Sequence, residues 1–226
     1  MKRFLVGMVA VLALLTCAYA GTSNPNDITL GTANGANCIP FSCRGIDNGN
    51  YEQIYNSSAF NGQSINIGDI EFFNQYYNNG GSQGIANLTF SLYLAVTSQS
   101  VPDGSIPAGA VLFGNYSLNG GLWTFGNNLT FNGTPFDYNP ANGNLELILE
   151  TSGGSDPSSG VYTYFDADSS GPFSRWCTAC GSNQGYGLVT EFSTASGGST
   201  PEPSSLLLTA SGLLAMAGVV RRRWLK

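Results

Sequence analysis

The sequence contains no histidine and very little charge. Only 10% of its 226 residues are charged, against about a quarter in an average soluble domain. Without histidine, the chain has no Ser-His or Cys-His nucleophile pair, no histidine general base and no imidazole metal ligand. Lysine is also absent between Gly21 and Thr200, which excludes Schiff-base and Ser-Lys chemistry from that stretch. We therefore expect no catalytic residues and a protein that is not an enzyme.

Basic residues are scarce outside the two ends of the chain. Between Gly21 and Thr200 there are only two cations, Arg44 and Arg175, against thirteen aspartates and glutamates. A nucleic-acid-binding surface needs a basic footprint that neutralises phosphates. The acidic body therefore excludes nucleic acid as a partner.

Alternation of apolar and polar residues is the main pattern between the two ends. Along residues 87–97, apolar side chains occupy every second position from Leu88 to Val96, as in a half-buried antiparallel strand. Residues 145–150 alternate in the same way. Further candidate strands are residues 51–55, 64–73, 110–116, 122–131, 161–165 and 186–192.

Glycine-containing turn signals, which supply positive φ, separate these segments. They are Asn79-Gly80-Gly81, Asp103-Gly104, Asn119-Gly120-Gly121, Asn132-Gly133, Asn142-Gly143 and Gly153-Gly154. We predict an all-β protein, an antiparallel and jelly-roll-like β-sandwich of about eight strands. An N-terminal signal helix and a C-terminal transmembrane helix complete the prediction. Residues 21–43, which are polar and interrupted by glycine and proline, are predicted to be an irregular lead-in.

The first twenty residues have the three parts of a secretory signal peptide. Lys2 and Arg3 form a basic start, residues 4–15 are apolar, and Ala18-Tyr19-Ala20 is a cleavage site of the A-x-A type. This order predicts export, with cleavage after Ala20. An N-terminal membrane anchor is the alternative.

The C-terminus has an uncharged segment followed by a basic cluster. Residues 204–220 carry no charge, and Arg221, Arg222 and Arg223 follow them. Seventeen such residues are at the short limit for a membrane-spanning helix, and a positive flank stays on the cytoplasmic side. We predict an exported body tethered to the inner membrane by its C-terminus.

Pro201-Glu202-Pro203, the apolar segment and the arginine cluster together resemble the PEP-CTERM sorting tail of Gram-negative bacteria. This resemblance implies processing by an exosortase-type enzyme near the PEP motif, and release to the cell surface or to an exopolysaccharide matrix. The tail domain is also named after some ice-binding proteins that carry it. An ordinary tail anchor is the alternative. The predicted organisation is a signal peptide (1–20), an exported domain (21–196), a Gly/Ser linker (197–200) and the sorting tail (201–226).

Four cysteines remain once Cys17 leaves with the signal peptide: Cys38, Cys43, Cys177 and Cys180. An even number in an exported chain predicts two disulfides, and we expect local pairing within each couple. Four thiolates could instead bind zinc, and a C-x-x-C redox site would need a βαβ context that the pattern lacks.

Asp166 and Asp168 begin a segment, D-x-D-x-S-G, that is similar to the start of a calcium loop. The twelfth position from Asp166 is Cys177, where an EF-hand has a glutamate. The segment is therefore not an EF-hand, and a β-sandwich calcium site using the two aspartates remains as a hypothesis beside an acidic turn. No other cofactor is predicted.

The carboxylates offer no evident catalytic pair. Glu146 and Glu150 lie on one strand face, four residues and about 13 Å apart, which is too far for a glycosidase. They are predicted to form a solvated face. A carboxylate-dependent hydrolase is the third hypothesis, and ice binding is the fourth.

The leading hypothesis is an exported, non-enzymatic protein of the cell surface or matrix. The alternative is a lectin-like module that binds carbohydrate or calcium. Aromatic rings that could stack on sugars in such a module are Tyr76, Tyr77, Trp123, Tyr138 and Trp176.

Overall fold

The computed structural model describes residues 26–43, 49–76, 83–158, 160–178 and 180–195. These residues form an all-β domain with two short 3-10 turns, Ser57–Phe60 and Pro140–Asn142. The predicted signal helix and transmembrane helix lie outside the described residues. Within those residues, no helix has the length and apolar character needed to cross a membrane.

Thirteen strands are present in the described residues, whereas the sequence predicted about eight. They are β1 (Ile28–Leu30), β2 (Gly35–Asn37), β3 (Asn50–Tyr55), β4 (Ile65–Phe72), β5 (Gln83–Thr97), β6 (Val111–Trp123), β7 (Leu129–Tyr138), β8 (Asn144–Ser155), β9 (Phe165–Asp168), β10 (Phe173–Cys177), β11 (Gly181–Gln184), β12 (Gly187–Leu188) and β13 (Thr190–Thr194). Five of them, β1, β2, β9, β11 and β12, have only two to four residues. Such short strands contain too few residues for an alternating pattern to be recognised.

The strands pair antiparallel in three sheets. Their orders are β1-β13-β4-β7, β11-β10-β3-β8-β5-β6 and β12-β9-β2. The apolar faces of the two larger sheets pack together, as in a sandwich. The ring of Tyr55 in β3 lies 5.0 Å from that of Phe192 in β13, and the ring of Phe90 in β5 lies 5.4 Å from that of Phe131 in β7. The all-β, antiparallel prediction is therefore confirmed.

The strongest sequence pattern corresponds to the longest strand. β5 includes residues 87–97, and Leu88, Phe90, Leu92 and Leu94 are buried in the core. Val96, which was predicted on the same face, is instead exposed near the end of the strand. Alternation therefore identified the buried face, although not where burial ends.

Three of the predicted turns are wrong, because their glycines lie inside strands. Gly120 and Gly121 belong to β6, Gly133 belongs to β7, and the Gly153-Gly154 pair belongs to β8. A Cβ atom at position 133 would overlap the ring of Phe113 in β6. Glycine at this position therefore permits close packing of β6 against β7 rather than a reversal of the chain.

The predicted irregular lead-in is also wrong, because residues 26–43 contribute strands and a core residue. Phe41 is fully buried, and its ring contacts one ring from each of four strands. The centroid distances are 5.0 Å to Phe72, 5.4 Å to Phe165, 5.6 Å to Phe131 and 6.2 Å to Phe90. This segment therefore belongs to the core.

The main chain around Phe41 is held by hydrogen bonds to β5 and to the segment before β9. Ala86 N–H donates to the carbonyl of Phe41 over 2.9 Å. The Ser42 hydroxyl donates to the Gly84 carbonyl over 2.5 Å and accepts from Thr163 N–H over 2.8 Å. The segment is thus bound to the body on both sides of its buried ring.

Phe41→Ala should destabilise the protein by about 3–5 kcal/mol, because it removes a fully enclosed ring and leaves a cavity. Chemical denaturation of the full chain measures the loss. Val161→Ala, which shortens an exposed side chain, should change stability by no more than about 0.5 kcal/mol. Equal effects of the two substitutions would contradict the placement of Phe41 in the core.

Candidate functional site

Both predicted cysteine couples are joined as disulfides. The Cα atoms of Cys38 and Cys43 are 5.2 Å apart, and those of Cys177 and Cys180 are 5.1 Å apart, within the usual range for disulfides. The first bond closes the loop that carries Phe41, and the second closes the turn between β10 and β11. No group of three or more metal-ligating side chains occurs in the described residues. The four cysteines therefore do not form the thiolate cluster that the zinc alternative requires.

Asp166, the first calcium candidate, is buried and holds the chain that follows β4. Its Oδ1 accepts hydrogen bonds from the main-chain N–H groups of Gln75, at 2.9 Å, and of Tyr76, at 2.7 Å. These contacts hold the main chain at Gln75 and Tyr76, just beyond the end of β4. They use carboxylate lone pairs that a cation would need.

Asp168, the second candidate, binds the segment between β1 and β2. Its Oδ2 accepts from Thr32 N–H at 2.7 Å, and its Oδ1 accepts from the Asn34 amide and from Ser170 N–H, both at 2.9 Å. Burial opposes ionisation of this carboxyl, but these donors outweigh it and lower its pKa. Calcium takes about six to eight oxygen ligands. In the described residues the two aspartates face N–H donors instead, and no ligand cage accompanies them.

The four aromatic candidates that the structure describes differ in their surroundings. Tyr138 is buried in the core, and the Trp123 indole donates to the Asn127 carbonyl over 2.8 Å. Tyr76 is 53% exposed. Trp176 is half-buried beside Gly104. Tyr77 and the sorting motif, Pro201, Glu202, Pro203, Arg221, Arg222 and Arg223, lie outside the described residues.

A pair of buried carboxyls, not singled out by the sequence, lies on the outer face of the six-stranded sheet. Glu52 in β3 is opposite Ile148 in β8, and Glu146 in β8 is opposite Ile54 in β3. The two glutamates are therefore diagonal neighbours on one face, at a separation that long side chains can bridge. They are 0% and 2% exposed, so the prediction of a solvated face at Glu146 is wrong.

The loop between β5 and β6, residues 98–110, covers this face. Gly104 N–H donates to Glu52 Oε2 over 2.9 Å. The Ser174 hydroxyl donates to the Ser100 carbonyl, and the Ser182 hydroxyl to the Pro102 carbonyl. Gly104 has φ +88°, and a Cβ there would lie 2.7 Å from the Trp176 ring. Only glycine fits where the loop approaches the tryptophan so closely.

Burial determines the protonation of the pair. It raises the pKa of Glu52 to about 7, although the Gly104 hydrogen bond opposes this rise and the charge of Asp103 adds to it. Burial likewise raises the pKa of Glu146 to about 7, with further contributions from Glu52 and Asp103. Glu52 Oε1 and Glu146 Oε2 have no hydrogen-bond partner among the residues that the structure describes. The two groups interact and titrate as a pair.

A carboxyl with a pKa near neutrality can act as a general acid or base if substrate reaches it. Here the covering loop and the sheet enclose both groups. Two surface grooves lie elsewhere, one of about 460 Å³ lined by Thr29, Asn34, Asp168 and Ser170 among others, and one of about 430 Å³ beside Asn66 and Asp137. Neither of these two grooves is lined by the paired carboxyls, whose burial makes stability depend on pH.

Arg175 is the single cation among the described residues. Its guanidinium lies 4.3 Å from the centre of the Tyr186 ring, a cation–π contact. It faces the opposite side of the sheet from the glutamates, because it is opposite Gln53 in β3. Arg175 therefore does not neutralise the carboxyl pair.

Glu146→Gln should stabilise the protein by about 1–2 kcal/mol at pH 8 and have little effect at pH 4. The unfolded glutamate releases its proton near pH 4.5 and the folded one near 7. Stability therefore falls as pH rises across this interval, and the neutral amide removes that loss. Denaturant titration at several pH values measures the free energy of unfolding of both proteins.

Glu150→Gln is the matched control, since Glu150 lies on the same strand and is less buried. In this variant, the difference in the free energy of unfolding between pH 4 and pH 8 should be close to that of the wild type. The same pH dependence in Glu146→Gln as in the wild type would contradict the burial of the pair.

Comparisons with protein-family models, with curated proteins and with solved structures found no match for this chain.

Proposed function

We propose that the protein is an exported, non-enzymatic component of the cell surface or extracellular matrix, sorted through its C-terminal tail. The observation that carries this proposal is the order of the last 26 residues: Pro201-Glu202-Pro203, an uncharged segment and an arginine cluster. In this proposal an exosortase-type enzyme acts on a chain tethered to the inner membrane. The two helices at the ends and the jelly-roll assignment are part of the same proposal.

The two disulfides support an oxidising location. Such bonds persist in exported proteins and are rare in a reducing cytosol. One of them holds the loop around Phe41, on which the core depends, so reduction would remove a constraint close to the centre of the domain. A domain built in this way is suited to folding after export.

The outer face of the four-stranded sheet supports a hydrated, acidic surface. Glu191 in β13 lies directly opposite Glu71 in β4. Thr29 donates to Glu191 over 2.6 Å, and Asn128 and Thr130 donate to Glu71 over 2.6 and 2.9 Å. Among the described residues, neutral hydroxyls and amides donate to these carboxylates. Such a face is acidic and polar, as a protein in an exopolysaccharide matrix requires.

The alternative is a lectin-like module, and one groove supports it. The groove of about 460 Å³ is lined by Thr29, Thr32, Asn34, Asp168 and Ser170, among other residues. Sugars are recognised by hydroxyl, amide and carboxylate groups of this kind. This groove, rather than the predicted aromatic residues, is where a carbohydrate would be sought.

Intact-mass measurement of the protein from its native host tests the leading proposal. We expect a mass that lacks residues 1–20 and that ends near Pro201-Glu202-Pro203. In a host that lacks the exosortase-type enzyme, the measured mass of the protein should include the tail. A mature protein that retains Arg221–Arg223 in the presence of that enzyme would overturn the sorting proposal.

Binding of the host's own exopolysaccharide, measured with and without calcium, tests the lectin alternative. Thr29→Trp should abolish saturable binding, because a large ring would fill the groove. Thr130→Trp is the matched control, since Thr130 is also exposed and also donates to a glutamate. If the wild type shows no saturable binding, or if both variants bind as the wild type does, the alternative fails.

A further inference from the structure

One long strand edge is left open by an architecture that protects its other edges. The ends of the three sheets are β1 and β7, β11 and β6, and β12 and β2. Four of these six edge strands have two to four residues, which are too short to recruit another strand. β7 is longer but contains Pro135 and Asp137, and proline and charge are the usual protection of an edge.

β6 has neither kind of protection. It runs for 13 residues from Val111 to Trp123 without proline, lysine, arginine, aspartate or glutamate. It pairs with β5, with a β-bulge at Phe113, and Gly120 and Gly121 near its other end have positive φ. Within the described residues, its main chain makes no hydrogen bond to any other element. The outward N–H and C=O groups of the regular part between these two points therefore have no partner among the described residues and can pair with an added strand.

The charge of the molecule favours a second copy of the same chain at this edge. The described residues carry twelve acidic side chains and one arginine, so two copies repel one another over most of their surfaces. β6 contributes no charge to this repulsion. It is consequently a surface at which two copies can approach at low electrostatic cost.

The sequence of β6 is also self-complementary under a two-fold axis. The middle residue of the strand is Ser117. Antiparallel pairing of two copies about this residue places Asn115 of one copy opposite Asn119 of the other. It also brings Leu112 of one copy, beyond the β-bulge, toward Leu122 of the other. Leu112 is 41% exposed and Leu122 is 75% exposed, so each apolar end of the edge meets the apolar end of its partner. A two-fold interface requires such a match of one patch with itself.

We propose that the protein forms a two-fold dimer by antiparallel pairing of β6 with β6 of a second copy, centred on Ser117. The six-stranded sheet then continues across the dimer as a twelve-stranded sheet. Pairing buries the exposed leucines and satisfies the open main-chain groups. The dimer does not depend on the proposed sorting function.

Sedimentation equilibrium of the full chain in detergent tests the dimer. The density of the solvent is adjusted to that of the detergent, so that only the protein mass is measured. The wild type should have the mass of two chains at high concentration. Ser117→Lys and Ser117→Asp should each weaken association by about tenfold or more, because each places two like charges opposite one another at the two-fold axis. A mixture of the two variants should associate again, since lysine then faces aspartate.

Thr134→Lys is the matched control, because it adds the same charge at an exposed position of the other long edge strand, β7. It should leave association unchanged. Thermal unfolding verifies that each variant is folded. As an independent measurement, with the unpaired Cys17 replaced by serine, Ser117→Cys should give a covalent dimer under mild oxidation, and Thr134→Cys should not.

Three results would overturn the proposal. The first is a wild type that remains monomeric at every concentration. The second is a dimer that neither charge at position 117 weakens. The third is weakening by only one sign of charge without recovery in the mixture, which would show that β6 meets a different surface rather than itself.

Discussion

The packing of Phe41 between the sheets is the contact on which the rest of the structure depends. Its ring touches Phe72 and Phe131 on the four-stranded sheet, Phe90 on the six-stranded sheet and Phe165 on the small sheet. A single side chain therefore contributes to the packing of all three sheets. Because β2, Phe41 and the Cys38–Cys43 disulfide follow one another closely, the same short segment supplies an edge strand, the ring and its constraint.

The two faces of the six-stranded sheet are buried by different means. The inner face packs against aromatic and aliphatic residues of the opposite sheet, whereas a loop covers the outer face at Glu52 and Glu146. Enclosing two carboxyls without a cation costs stability when they ionise. The loop, however, needs the Glu52 carboxyl as the acceptor for Gly104 N–H. The same glutamate thus positions the loop and makes its closure less favourable as pH rises.

Sequence reasoning succeeded where burial follows from neighbours along the chain. Leu88 to Leu94 alternate because one face of β5 is buried, and the cysteine couples are close in sequence and close in space. It failed where burial depends on distant segments. Glu146 has the pattern of a solvated strand face, and only the loop at Gly104 and the pairing with β3 enclose it. Phe41 lies in a short segment between two cysteines that shows no alternating pattern, so nothing local indicated that it would enter the core.

The glycine errors have a related physical cause. The Asn119-Gly120-Gly121 and Asn132-Gly133 sequences are typical of turns, but these residues lie in the long strands β6 and β7. Glycine serves both reversal of the chain and close approach of a neighbour, and the sequence does not distinguish these uses. The ring of Phe113 beside Gly133 decides between them in the folded protein.

The covered outer face also affects how the domain exchanges its amide hydrogens with solvent. β3 and β8 are adjacent central strands, with the core on one side and residues 98–110 over part of the other. Amides in such a position exchange only when the whole domain opens, whereas those of exposed edge strands exchange through local fluctuations. The six-stranded sheet should therefore have a protected centre at β3 and β8, with protection decreasing toward the short edge strand β11.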